Sequence, residues 1–239
     1  MIYKVADIPH VSVPKAIGTK RDPKKDYMWY EMGIFTYWDF DCRRVLCIDT
    51  PVDLPEQIKA ILEKQASPLE FGDPFAMFPP LIDQIVKLSD DSVWRFRPHI
   101  RYIEKVCFNL LCFLEEWLTN TEQNRLTTRP DFTNMHNLSR HAIHVSEVLS
   151  VIIETIESIQ GEQKTIYESL ETDLGKTHCQ QAQEYTRFQL QMVKSLKLRS
   201  DSNNQRIKGE ITLVIKFFNY FPLLVHTLAK ETYSCRRSI

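Results

Sequence analysis

His141, His144 and Glu147 follow one another at steps of three residues. On a helix that spacing lines up two imidazoles and a carboxylate on one face, where they can offer ligands to a divalent metal. The order is not the H-E-x-x-H of a zinc protease, and no further ligand is set by local spacing. A solvated helix face is the competing reading of the same residues. A second group is acidic: Glu154, Glu157, Glu162, Glu168, Glu171 and Asp173, accompanied only by the cations Lys164 and Lys176. Oxygen ligands suit Mg²⁺ or Ca²⁺, and Mg²⁺ needs only one or two carboxylates besides water. Here too a solvated surface competes.

Other chemistry finds less footing. The six cysteines, Cys42, Cys47, Cys107, Cys112, Cys179 and Cys235, contain no C-x-x-C. The spacing of Cys107 and Cys112 sets them about 140° apart on a helix. Reduced and mostly buried thiols are the expectation. No local Ser-His-Asp or Cys-His pattern occurs. The six glycines form neither G-x-G-x-x-G, nor the Walker pattern, nor G-x-S-x-G. The chain therefore reads as a non-enzyme, with no catalytic residue and no required cofactor.

Composition turns from sites to scaffold. Average usage would give roughly 17 glycines in a chain of this length. Scarce glycine favours helix, because each costs about 1 kcal/mol in a helix interior. Of the 12 prolines only Pro222 follows Pro130. Lys and Arg number 30 against 31 Asp and Glu, a net charge of −1. Such a balance gives no drive toward nucleic acid. No basic segment followed by an apolar one opens the chain, so a reducing, intracellular setting is expected.

The expected fold is mainly α (α+β): a small N-terminal β element, then long antiparallel helices in a stalk-like bundle. Four regions follow from the pattern. Residues 1–28 read as an irregular arm with three prolines and the basic run from Lys20 to Lys25. Residues 29–89 read as a small α/β region. Its strand candidates are 34–38 and 44–49, with a loop at 39–43. Asp53, Pro55 and Glu56 signal a helix start, and a short helix carries Leu81, Ile82, Ile85 and Val86. Residues 90–211 read as the long-helix bundle.

Asp90-Asp91-Ser92 predicts a helix start, with a kink at Pro98 or a true start near Arg97. Residues 119–132 read as a loop. Leu138, Ala142, Val145, Leu149, Ile152, Ile156 and Ile159 alternate steps of four and three, the heptad pattern of a bundle helix. Gly161 is placed to interrupt it, Ile166 and Leu170 to continue it. A last helix is expected over about 177–211, with Ala182, Tyr185, Phe188, Met192 and Leu196 on its buried face. Residues 212–239 read as a divergent apolar tail. Residues 211–229 (ITLVIKFFNYFPLLVHTLA) reach bilayer-spanning length. Lys216 lies near their middle, and a central lysine costs about 2.5–3.5 kcal/mol. An interfacial or core-packed helix is the expectation, a spanning one the competing reading, with 211–229 as the membrane contact wherever the tail inserts.

Two stretches carry a family resemblance, and two more support it. PLIDQIVKLSDDSVWRFRPHIRYIEK (80–105) resembles the start of the first long helix in the soluble part of fungal CorA-like divalent-cation transporters. SLKLRSDSNNQRIKGEI (195–211) resembles the end of that family's pore-leading helix. NLSRHAIHVSEVL (137–149) stands between them in the expected place, and RVLCIDTP (44–51) adds to the match. Together they cover roughly residues 30–211. The resemblance implies a homopentameric Mg²⁺ transporter, its cytosolic α/β domain leading through a stalk helix to two membrane spans. Mg²⁺ between cytosolic domains would act as a closing signal. The family's Gly-Met-Asn signature does not occur in this sequence. The expectation is a cytosolic domain without its own pore, truncated or altered after Ile211, membrane-attached with most of the chain on the cytoplasmic side.

Overall fold

A computed structural model of the chain describes residues 4–5, 32–38, 43–64, 75–119, 131–169 and 173–236. Most of the expected arm with its basic run, the 119–132 loop up to residue 130, and Glu171 lie outside the described residues. The rest is mainly helical, a small antiparallel sheet followed by helices, as composition and periodicity require.

Three strands form the sheet in the order β1 (Lys4–Val5), β2 (Gly33–Trp38), β3 (Arg43–Ile48). Strand β2 pairs with β3 from Gly33↔Ile48 to Trp38↔Arg43, and β1 adds Lys4↔Phe35 and Val5↔Ile34. The pairing of β1 falls inside the segment read as irregular. Alternation separates the faces. Ile34 and Thr36 are buried, while Tyr37, Leu46 and Ile48 on the opposite face are exposed. Asp49 ends β3 with φ at 50°, a left-handed backbone that Asp tolerates better than most residues. Pro51 follows, its carbonyl accepting the N–H of Leu54 at 2.9 Å as α1 (Leu54–Lys64) begins. Leu54 and Ile58 are the buried side of α1.

Helix α2 (Phe78–Thr119) is continuous over 42 residues. The short helix and the new start expected at Asp90 are one element. The capping residues do not break it, because Asp90 and Ser92, like Ser89 before them, find partners inside the helix. Ser89 Oγ donates to the Ile85 carbonyl, Ser92 Oγ donates to the Leu88 carbonyl, and the Trp94 indole donates to Asp90 Oδ1. Pro98 sits within α2 on its exposed side. Asp131 caps α3 (Phe132–Ser169), its carboxylate accepting the Asn134 N–H at 3.0 Å. Ala142, Val145, Leu149, Ile152, Ile156 and Ile159 are all buried, as the heptads predict. Gly161 does not interrupt α3. It is exposed and has open space around it, so its cost is only the local flexibility of glycine.

Helix α4 (Asp173–Arg236) runs for 64 residues and does not stop at Ile211. Its buried seam also differs from the expected one. Cys179, Thr186, Val193, Ser200, Ile207 and Val214, spaced seven apart, are buried, with Gln189, Leu190, Leu196 and Asn203 beside them. Of the expected face only Leu196 is buried. Phe188 is 59% exposed, and Tyr185 and Met192 are also exposed. Apolarity chose the wrong side because polar Thr186, Gln189, Ser200 and Asn203 share the seam.

The chain divides into two compact units. The first comprises Met1–Arg95 and His141–Asp201. In it α3 runs antiparallel to α4, as the pairs Ser146–Asp201 and Glu157–Lys194 require, and α2 runs parallel to α4, as Asp83–Tyr185 and Trp94–Arg199 require. The second comprises Phe96–Arg140 and Ser202–Ile239. Its core gathers Ile103, Cys107, Met135 and Val214, flanked by Leu138, Ile211 and Leu213.

Candidate functional site

The metal candidates lie together on α3 in the first unit. His144 Nδ1 stands 3.7 Å from Glu147 Oε2, both side chains at least half exposed, and His141 is half-buried. The i,i+3 spacing has thus brought one imidazole to one carboxylate. Among the described residues no group of three or more His, Cys, Asp or Glu is placed to hold a metal ion. In the acidic stretch Glu157 is paired with Lys194 at 2.7 Å, and Glu154, Glu162 and Glu168 face outward. A half-exposed pair of that kind contributes at most about 1 kcal/mol.

Polar contacts between helices also involve the segments 80–105, 137–149 and 195–211, within each unit separately. In the first unit, Lys197 Nζ donates to both oxygens of Asp201 at 2.7 Å, and Ser146 Oγ reaches Asp201 Oδ1 at 2.5 Å. Two residues back on α4, the Arg199 guanidinium lies 4.1 Å from the ring centre of Trp94. In the second unit, Arg206 forks onto Glu104 through two 2.7 Å bonds, a charge-assisted bidentate pair. None of these partners was legible in the sequence. Only Lys197–Asp201 is local, and the others join residues from different helices.

Asp201 is held below its ordinary value of 3.8. Burial is the largest single influence and pushes the carboxyl up. It is outweighed by the hydrogen bonds from Lys197 and Ser146 together with the lysine charge. A carboxyl that ionises more readily in the folded than in the unfolded chain stabilises the fold above the unfolded value. That stabilisation disappears as pH falls through the folded one. Asp201→Asn is therefore expected to lose up to about 1 kcal/mol at pH 7, the side chain being partly exposed. The gap between variant and wild type should close once pH falls well below 3.8. Urea midpoints at neutral and acid pH check this; an unchanged gap would contradict it.

Cys107 is buried, and its thiol is pushed up to about 12 by burial first and then by hydrogen bonding to and charge from Glu210. It acts as a small apolar side chain of the second unit's core. Cys179 is buried as well, whereas Cys112 is exposed.

The end of α4 shows what became of the expected tail. Val214 is fully buried, but Ile215, Phe218 and Tyr220 are exposed, and so is Lys216. Phe218 packs against Phe132 at 5.5 Å and Phe217 at 5.3 Å. Among the described residues no helix is long and apolar enough to cross a membrane.

Compared with known proteins, the chain matches no family model and no curated sequence.

Proposed function

We propose that the chain is the cytosolic part of a CorA-like transporter of magnesium or another divalent cation. One observation carries the reading. The stretches that resemble the family contact one another: Trp94 of the first meets Arg199 of the last, and Ser146 of the middle stretch bonds Asp201 of the last. On this reading Mg²⁺ is transported cargo or a regulatory ion, and the chain assembles as a pentamer. Membrane attachment lies on the 211–229 side, where Ile215, Phe218 and Tyr220 are exposed beside Lys216.

Thermal melts with and without millimolar Mg²⁺ test the reading. A retained site at 100 times its Kd adds about 2.7 kcal/mol, visible as a raised melting temperature. Light scattering after size exclusion should then give a pentamer. A melting temperature indifferent to Mg²⁺, together with a monomer or dimer, would refute it. That result would favour a helical scaffold or interaction module without transport, whose specific support is the exposed row Tyr185, Phe188 and Met192 on α4.

A further inference from the structure

Helices α3 and α4 of the first unit meet along two heptad rows. On α3 the row is Leu149, Ile156 and Gln163; on α4 it is Ser200, Val193 and Thr186. The pairs Ser146–Asp201 and Glu157–Lys194 set an antiparallel register. Leu149 is then level with Ser200, Ile156 with Val193, and Gln163 with Thr186. The last level is polar throughout. Gln163, Thr186 and Gln189 are each 1% exposed.

This level is incompletely bonded. Gln189 Nε2 donates to the Pro79 carbonyl at 2.7 Å and to Asp83 Oδ1 at 2.8 Å. Tyr185 donates to Asp83 Oδ2 at 2.7 Å, and Thr186 Oγ1 donates to the Ala182 carbonyl. Both amide atoms of Gln163 and the Oε1 of Gln189 have no hydrogen-bond partner. A buried amide in that state costs stability relative to an apolar side chain of the same shape. Leucine or methionine would fit the heptad better, so stability does not account for Gln163.

We infer that Gln163, Thr186 and Gln189 form a register lock, a polar level that selects one alignment of α3 against α4 at the expense of stability. A slip of one heptad in one direction would set Gln163 level with Val193. In the other direction it would set Ile156 level with Thr186. Either slip separates Gln163 from Thr186 and sets one of them against an aliphatic side chain, Val193 or Ile156, whereas the native alignment keeps the two together. Isolated polar residues at heptad core positions are known to fix register in this way. The lock is independent of any transport role.

Glu157 and Lys194, whose side-chain atoms lie 2.7 Å apart, provide the readout. Zero-length carbodiimide coupling of the full-length chain should give a Glu157–Lys194 link by mass spectrometry. In Gln163→Met, which keeps the length of the side chain and removes its hydrogen bonding, the melting temperature should rise. The Glu157–Lys194 link should weaken, because a heptad slip sets Lys164 or Ser150 where Glu157 stood. Gln163→Leu should behave alike. A lower melting temperature, failure of both variants to fold, or a raised melting temperature with the Glu157–Lys194 link undiminished would each overturn the lock.

Discussion

Ile152→Ala is expected to destabilise the chain by about 2–5 kcal/mol, whereas Phe188→Ala should change stability by no more than about 0.5 kcal/mol. The contrast is the reverse of what side-chain size suggests. Ile152 is 1% exposed in the α3 seam, so truncation leaves a cavity between packed helices. Phe188 keeps most of its ring in solvent, touching Tyr185 at a centroid distance of 6.4 Å. Its loss removes little buried area. Urea denaturation of the two variants decides the matter. If Phe188→Ala costs as much as Ile152→Ala at a concentration where the protein is monomeric, the α4 face read from apolar spacing is the true seam. A cost that grows with protein concentration would instead place Phe188 between copies.

Replacing Pro98 by alanine should stabilise the chain by about 2 kcal/mol. Proline inside a helix removes one i→i−4 bond and crowds the preceding turn, at a cost of about 3 kcal/mol. Against that, alanine frees the unfolded chain, giving back about 1 kcal/mol. Pro98 is exposed within α2, so no buried apolar contact is lost. The carbonyl of Trp94 regains the N–H that proline withholds. A rise in the urea midpoint without a change in slope is the expected measurement. A fall would mean that the ring itself packs in a way its exposure does not suggest.

The sequence was most informative where one force acted alone. The α3 seam follows from apolar spacing because its core positions from Ala142 to Ile159 are small or aliphatic. Strands β2 and β3 follow from a β-branched and aromatic run beside a short apolar one. Reading failed where forces competed. Asp90-Asp91-Ser92 has the composition of a helix start, yet i−4 side-chain bonds absorb it within α2. The α4 seam eluded hydropathy because Thr186, Gln189, Ser200 and Asn203 are buried in it. For the candidate site, local spacing set His144 3.7 Å from Glu147. The Ser146–Asp201 and Glu104–Arg206 contacts depend on the alignment of separate helices, which no local pattern encodes.

The small sheet carries a colloidal consequence. Among the described residues β3 is paired on one side only, by β2. Its centre reads Val45-Leu46-Cys47-Ile48, with Leu46 and Ile48 outward. An open edge of that composition is a template on which another chain can add a strand. The residues at its ends oppose this. Arg43 and Arg44 place two like charges at the start, where a copy stacking in register would repel itself. Asp49 turns the backbone left-handed and Pro51 withholds a donor at the finish. The four apolar residues between them are a segment kept short enough, and charged enough at its entrance, to pair once inside the fold without seeding fibres outside it.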